Sequence, residues 1–225
     1  METGGKDGKK IIHLSDSSIL LPLGDSIDPE TNRRVHALAA ALALDSLPGV
    51  SETVPGYTSL VVHYDPLVLT HTQVTDWLSA HAEIAAETSA RPARKIEIPV
   101  QYGGEYGLDL DSVAAHCHLS PAEIIRLHSE TEYTVYMMGF TPGFAYLGRV
   151  PAALVTPRLE TPRTRVRAGT VAIAGEQTGI YPVDSPGGWR LIGHTDLLPF
   201  DPLREPPFLF APGDIIRFYN VESGK

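Results

Sequence analysis

The apolar positions change their spacing part-way along the chain. Residues 11–23, IIHLSDSSILLPL, form an apolar strand region interrupted by a small polar stretch. Asp28-Pro29-Glu30 then opens a helix, with Asp28 as N-cap and Pro29 at the first helical position, where its missing N–H costs nothing. NRRVHALAAALAL continues that helix until Leu47-Pro48-Gly49 stops it. Two short strands follow, VSETVP and TSLVVHY, joined by a tight turn near Pro55-Gly56. Thr70 and Gln73 make a capping box for a second helix that runs through Trp77 to about Ala80. A strand–helix–strand–strand–helix–strand order fits a ferredoxin-like α+β domain over residues 11–90.

Beyond the stretch SARPARK (89–95), the best boundary in the chain, the periodicity is different. KIEIPVQY reads as a strand, and LDLDSVAAHCHL and SPAEIIRLHS read as two short helices. The second is opened by Ser120 and Glu123 with Pro121 just inside. From Tyr133 to the end the pattern is strand and turn: YTVYMM, TRVRA, TVAIA, WRLIG and DIIRFYN, punctuated by Gly and Pro. Many short strands with such turns predict an all-β barrel over residues 95–225.

Composition narrows the function classes. The net charge is −9, which argues against nucleic acid and anionic membranes as partners. Residues 1–10, METGGKDGKK, read as a solvated tail without the apolar core of a signal peptide, and no apolar run has the length of a membrane span. A cytoplasmic location is therefore expected. Cys117 is the only cysteine, so no internal disulfide and no cysteine-based metal cluster is expected. It sits in His116-Cys117-His118, but three consecutive helical residues point in different directions and cannot chelate one ion together.

Arginine carries the sharpest signal. Arg149, Arg158, Arg163, Arg165 and Arg167 fall close together, with Glu160 the only acid among them. If 163–167 is extended, period-2 alternation puts Arg163, Arg165 and Arg167 on one face, where a carboxylate or phosphate would be held by guanidinium forks. The alternative is a solvated edge strand whose charges deter aggregation. The loop MGFTPGFAYLG (138–148) leaves a strand with glycines, a proline and three aromatics, either as a rigid wall of a cleft or as a plug at one barrel end. In GEQTGIYPVDSPGGWRLIGHT (175–195), Gln177, Thr178 and Ser185 supply donors and acceptors for a substrate. His194 is the one candidate general base, although taken alone it reads more readily as a satisfied barrel histidine. Gly139, Phe140, Pro142, Gly143, Tyr146, Tyr181, Gly188 and Trp189 are the expected pocket lining, with the two loops side by side at one mouth of the barrel. The chain has no GxxxxGK[ST] phosphate loop, no GxSxG elbow, no HExxH and no Gly-Ser-rich amidase stretch.

The run from MGFTPGFAYLG to GGWRLIGHT, together with GDSIDPETNRRVHALAAAL, LPGV and SLVVHYDPL, resembles the B-subunit family of bacterial ATP-dependent 5-oxoprolinase. That family is also known as allophanate hydrolase subunit 1 or carboxyltransferase subdomain C and D, and it includes a sporulation-kinase inhibitor. The resemblance implies a cyclophilin-like barrel for the second half and an obligate C subunit, of the allophanate hydrolase subunit 2 type. An A subunit completes a complex that opens 5-oxoproline at the expense of ATP, with ATP and Mg bound by the assembly. Two rival readings are a regulatory module that docks on a kinase and the carboxyltransferase half of a urea- or allophanate-processing complex. Arg167, Thr170 and His194 stand where the family pattern has proline, serine and arginine.

Overall fold

The computed structural model describes residues 11–85 and 93–221, and the chain divides into two compact units, Met1–Pro92 and Ala93–Lys225. The expected tail, 1–10, and most of the expected boundary stretch, 89–95, lie outside the described residues.

In the first unit the opening strand region is a hairpin. β1 (Ile12–Ser15) and β2 (Ser18–Pro22) pair antiparallel, and the polar Asp16-Ser17 is the turn between them. Helix α1 (Pro29–Leu44), strands β3 (Val50–Pro55) and β4 (Ser59–Tyr64), and helix α2 (His71–Ala85) follow. The sheet order is β1-β2-β4-β3. β2, α1, β3 and β4 reproduce part of the expected plan, with β4 between β2 and β3. The place beside β2 is filled by the preceding strand β1, and among the described residues no strand follows α2 in this unit. The helices begin as their sequences dictate: the Asp28 carboxylate accepts from the Thr31 N–H at 2.9 Å, and Gln73 accepts from the Thr70 N–H at 2.8 Å. Alternate residues Ile19, Leu21, Leu60 and Val62 meet Val35 and Leu38 of α1 and Val74 and Leu78 of α2 in a closed core.

The second unit is a closed seven-stranded barrel in the order β10-β7-β6-β13-β5-β12-β9. Its strands are β5 (Lys95–Tyr102), β6 (Glu132–Met138), β7 (Ala145–Leu147), β9 (Thr170–Ala174), β10 (Gln177–Ile180), β12 (Arg190–His194) and β13 (Ile215–Asn220). β13 lies parallel to β5 and antiparallel to β6. Helices α3 (Leu110–Cys117) and α4 (Pro121–Glu130) stand between β5 and β6 in the chain, and α4 carries the predicted Ser120–Glu123 capping box. Two further strands, β8 (Arg163–Val166) and β11 (Ser185–Gly187), form a separate ribbon.

Period-2 alternation divides the barrel strands into two faces. Ala145, Leu147, Val171, Ile173, Ile180 and Ile192 turn inward to the main core. From α4 the fully buried His128 enters that core, where its Nδ1 lies 2.7 Å from the Tyr102 hydroxyl and its Nε2 lies 2.8 Å from Thr178 Oγ1. Thr178 donates its own proton to the Ala172 carbonyl at 3.0 Å. Nε2 therefore carries the imidazole proton and Nδ1 accepts from Tyr102. Burial lowers the His128 pKa to about 3, so the ring is neutral.

Candidate functional site: an aromatic face outside the barrel

The residues that alternate with the inward set build the candidate site. Ala172 and Ala174 of β9 and Gly179 of β10 put small side chains on the outer face, and rings lie over them. Phe144 is the centre. Its ring makes edge contacts with Tyr146, Tyr181 and Trp189 at centroid distances of 4.9, 5.7 and 5.4 Å. Tyr146 and Trp189 also meet, at 6.1 Å. Two glycines make this possible. A Cβ on Gly179 would come within 3.3 Å of both Phe144 and Trp189, and one on Gly187 would fall 2.2 Å from the Tyr181 hydroxyl oxygen.

The loops 138–148 and 177–189 are thus brought together, on the outer wall under the β8–β11 ribbon rather than at a barrel mouth. Gly139, Phe140, Pro142 and Gly143 form the turn between β6 and β7, where the Gly139 N–H donates to the Phe144 carbonyl at 3.1 Å. Phe140 sits in the left-handed region (φ 66°), is 63% exposed, and sets its ring edge-on to Phe144 at 5.6 Å. Trp189 and Tyr181 are buried, so the face is a packed aromatic floor whose solvent side is formed by Tyr146, Phe140 and Arg158. Gly188 lies next to Trp189 in the loop between β11 and β12, where an added Cβ would be in ordinary van der Waals contact with Pro162.

Charge is focused on that floor. The exposed Arg158 guanidinium carbon lies 5.9 Å above the Trp189 ring. Burial raises the pKa of Tyr146 and of Tyr181, and Arg158 opposes the shift at both. At Tyr181 the Trp189 backbone and Arg163 oppose it as well. Both side chains stay neutral phenols near pH 7 and can donate or accept a hydrogen bond.

The three arginines expected on one face do not share it. β8 pairs with β11 through a register shift, Val166 opposite Ser185 but Arg163 opposite Gly187, so the simple alternation is broken. Arg163 turns inward, and its Nη2 donates to the Asp109 carboxylate at 2.8 Å, while Val166 is buried against the rings. Arg165 turns outward to Asp184 at 2.6 Å. Arg167 stands near enough to act on both Asp184 and His194.

The remaining candidates are dispersed. Thr178 lies inside the barrel, bound to His128. Gln177 is half-buried at the start of β10, opposite Ala174. Ser185 lies on β11, with its Oγ enclosed and without a hydrogen-bond partner. His194 stands at the other end of β12 from Trp189, stacked on Tyr106 at 5.5 Å, with Nε2 3.4 Å from Asp196. It lines a separate half-open cavity of about 240 Å³ with Pro99, Gln101 and Leu197. Burial and Arg167 lower its pKa against the pull of Asp196. Cys117 packs on the barrel core with Sγ 3.4 Å from Thr156 Oγ1.

Sequence reasoning missed Phe144 as the hub and Asp109 as the partner of Arg163. Phe144 was one of three aromatics in the loop 138–148, with nothing to set it apart. Nothing local to Asp109 marks its role, because its partners lie 54 and 82 residues away.

Asp109 and Asp184 are engaged by arginines and backbone N–H groups, and the described residues contain no group of three or more side chains that could hold a metal ion. Among them, no helix is long and apolar enough to cross a membrane.

The family model for the carboxyltransferase domain, subdomain C and D, matches residues 9–210. The chain belongs to this family. It is 42% identical over 228 residues to the B subunit of 5-oxoprolinase from Bacillus subtilis (strain 168), covering 95% of this chain and 93% of that one. The corresponding protein of Escherichia coli O157:H7 is 41% identical over 215 residues, covering 94% and 95%. Among solved structures, TTHA0988 superposes with a TM-score of 0.80 at 43% identity over 92% of this chain, which spans only 40% of that longer chain. The urea amidolyase of K. lactis superposes at 0.78 with 18% identity over 95% of this chain and 15% of that one, a likeness of fold.

Proposed function

We propose that this carboxyltransferase-family chain is the B-type subunit of an ATP-dependent complex that hydrolyses 5-oxoproline, and that its outer aromatic face forms one wall of a composite active site. The observation that carries this reading is the pairing of an exposed guanidinium, Arg158, which makes no ion pair among the described residues, with the floor of Trp189, Tyr146 and Tyr181. A small ring bearing a carboxylate matches it: the ring lies over the aromatic edge, Arg158 takes the anion, and a phenol meets the lactam amide. The identity to 5-oxoprolinase B subunits over almost the whole of both chains supports the same substrate.

On this reading a C-type subunit closes the face, an A-type subunit joins the assembly, and ATP and Mg are held by the complex in the cytoplasm. The fold then follows the cyclophilin-like barrel plan, with a permuted relative of the ferredoxin-like unit before it. The expected base, His194, does not lie on the face but at the far end of β12 from Trp189. What the chain contributes is binding and orientation, which is a large part of the barrier in a reaction between bound groups. The test is 5-oxoproline-dependent ATP hydrolysis by the purified chain, and then with its C- and A-type partners. Silence alone and turnover in the assembly are expected; turnover by the lone chain after repurification would defeat the reading.

A further inference from the structure

Asp109 stands at the N-cap of α3 yet makes no side-chain bond to the helix. An N-cap aspartate ordinarily accepts from the N–H groups of the first turn, one of the better stabilising contacts a helix can make. Here one carboxylate oxygen takes the Leu191 N–H at 2.7 Å and the other takes Arg163 Nη2 at 2.8 Å. The carboxylate is 9% exposed and the arginine side chain 28% exposed, so the pair is shielded and well defined. A guanidinium is a planar fork: fixing Nη2 also fixes the direction of Nη1. Nη1 is enclosed and has no hydrogen-bond partner, and Ser185 Oγ on the paired strand is in the same condition. The charges of Arg163 and Arg158 both oppose the rise that burial imposes on the Tyr181 pKa. An enclosed donor left empty is costly, and a ligand acceptor that fills it repays that cost on binding.

We propose that Asp109 is a positioning residue: anchored to β12, it holds Arg163 with Nη1 as a second, preset donor to the carboxylate that Arg158 attracts. This rests on the reading of the face as an anion site. The alternative, that Asp109 merely ties α3 to β8 and β12, predicts no effect that depends on ligand charge.

The test uses the full-length chain with Trp77→Phe, so that Trp189 is the remaining tryptophan. Trp189 fluorescence is titrated with 5-oxoproline, with benzoate, and with the uncharged lactam 2-pyrrolidinone. Asp109→Asn keeps an acceptor for the Leu191 N–H but gives up the charge that fixes Arg163. Asp109→Asn and Arg163→Gln should each weaken carboxylate binding about tenfold or more, and the double variant no further than the worse single. The response to 2-pyrrolidinone should not differ among the variants. Should Asp109→Asn fail to fold, Arg163→Lys serves instead, since it keeps the charge beside Asp109 but lacks the planar fork that presets the second donor. Unaltered carboxylate affinity in Asp109→Asn or in Arg163→Lys, additive losses in the double variant, or no saturable response to either carboxylate overturns the proposal. Coupling seen with benzoate but not with 5-oxoproline supports the positioning role and removes 5-oxoproline as substrate, whatever the assembled complex does.

Discussion

The two faces of strands β9, β10 and β12 handle buried polarity in opposite ways. Inside the barrel, His128 has both ring nitrogens engaged, and Thr178 both receives from it and donates to a backbone carbonyl. Outside, 54 residues along from its anchor at Asp109, Arg163 keeps one nitrogen without a partner, and Ser185 keeps its hydroxyl in the same state. A closed network costs nothing further once folded and specifies a unique core. Unfilled donors beside an exposed guanidinium are the mark of a surface that completes itself by binding. Function is therefore to be sought not at the histidine that is most perturbed, but at the groups left unsatisfied.

Breaking the inner network should have the largest effect on stability. His128→Leu leaves the Tyr102 hydroxyl without its acceptor, and a loss of about 2–4 kcal/mol in denaturant unfolding is expected. The same residue makes stability depend on pH. The folded chain holds His128 neutral down to a pKa of about 3, whereas the unfolded chain takes up a proton below about 6.5. Its contribution is therefore complete above about pH 6.5 and is lost as the pH falls towards 3, at up to about 1.4 kcal/mol per pH unit. Burial also lowers the pKa of His71 and His194, which act in the same direction. The difference between wild type and His128→Phe across pH 5–7 isolates the share of His128, and parallel curves would contradict the neutral, buried ring.

On the outer face, Gly187→Ala forces a methyl group onto the Tyr181 hydroxyl. It should cost about 1–3 kcal/mol. In a Tyr181→Ala background, which removes the ring and hydroxyl atoms lying 2.2–2.8 Å from that methyl group, the cost should shrink; an undiminished cost would mean that the glycine serves its own backbone and not the ring. The smallest effect belongs to Arg165→Ala. Its pair with Asp184 is exposed, so the melting temperature and carboxylate binding should hardly move. A marked loss of binding would restore the single arginine face that the β8–β11 register shift disperses.

What could be read from the sequence was what is local. Asp28-Pro29, Thr70–Gln73 and Ser120–Glu123 marked helix starts because the capping partners are three residues apart. The barrel strands were legible as apolar alternation, but their partners were not: TRVRA has the look of a barrel strand, yet 163–166 pairs only with 185–187. The polar break in IIHLSDSSILLPL is a hairpin turn, which short serines do not distinguish from an irregular strand. Of the site, the two aromatic loops were legible by composition. Their placement on the outer wall was not, because it depends on which parity of β9 and β10 faces inward. Thr178 looked like a ligand donor for the same reason, and its parity sends it to His128.

That the outer face holds the substrate's carboxylate through Arg158 is tested most directly in the assembled complex. The measurement is 5-oxoproline-dependent ATP hydrolysis by the complex carrying Arg158→Ala, alongside the melting temperature of the variant chain. Stability should change by no more than about 0.5 kcal/mol. The KM for 5-oxoproline should rise about tenfold or more, as expected for losing a charge-assisted contact. A complex with unchanged KM and kcat would contradict the assignment of this face as the binding wall.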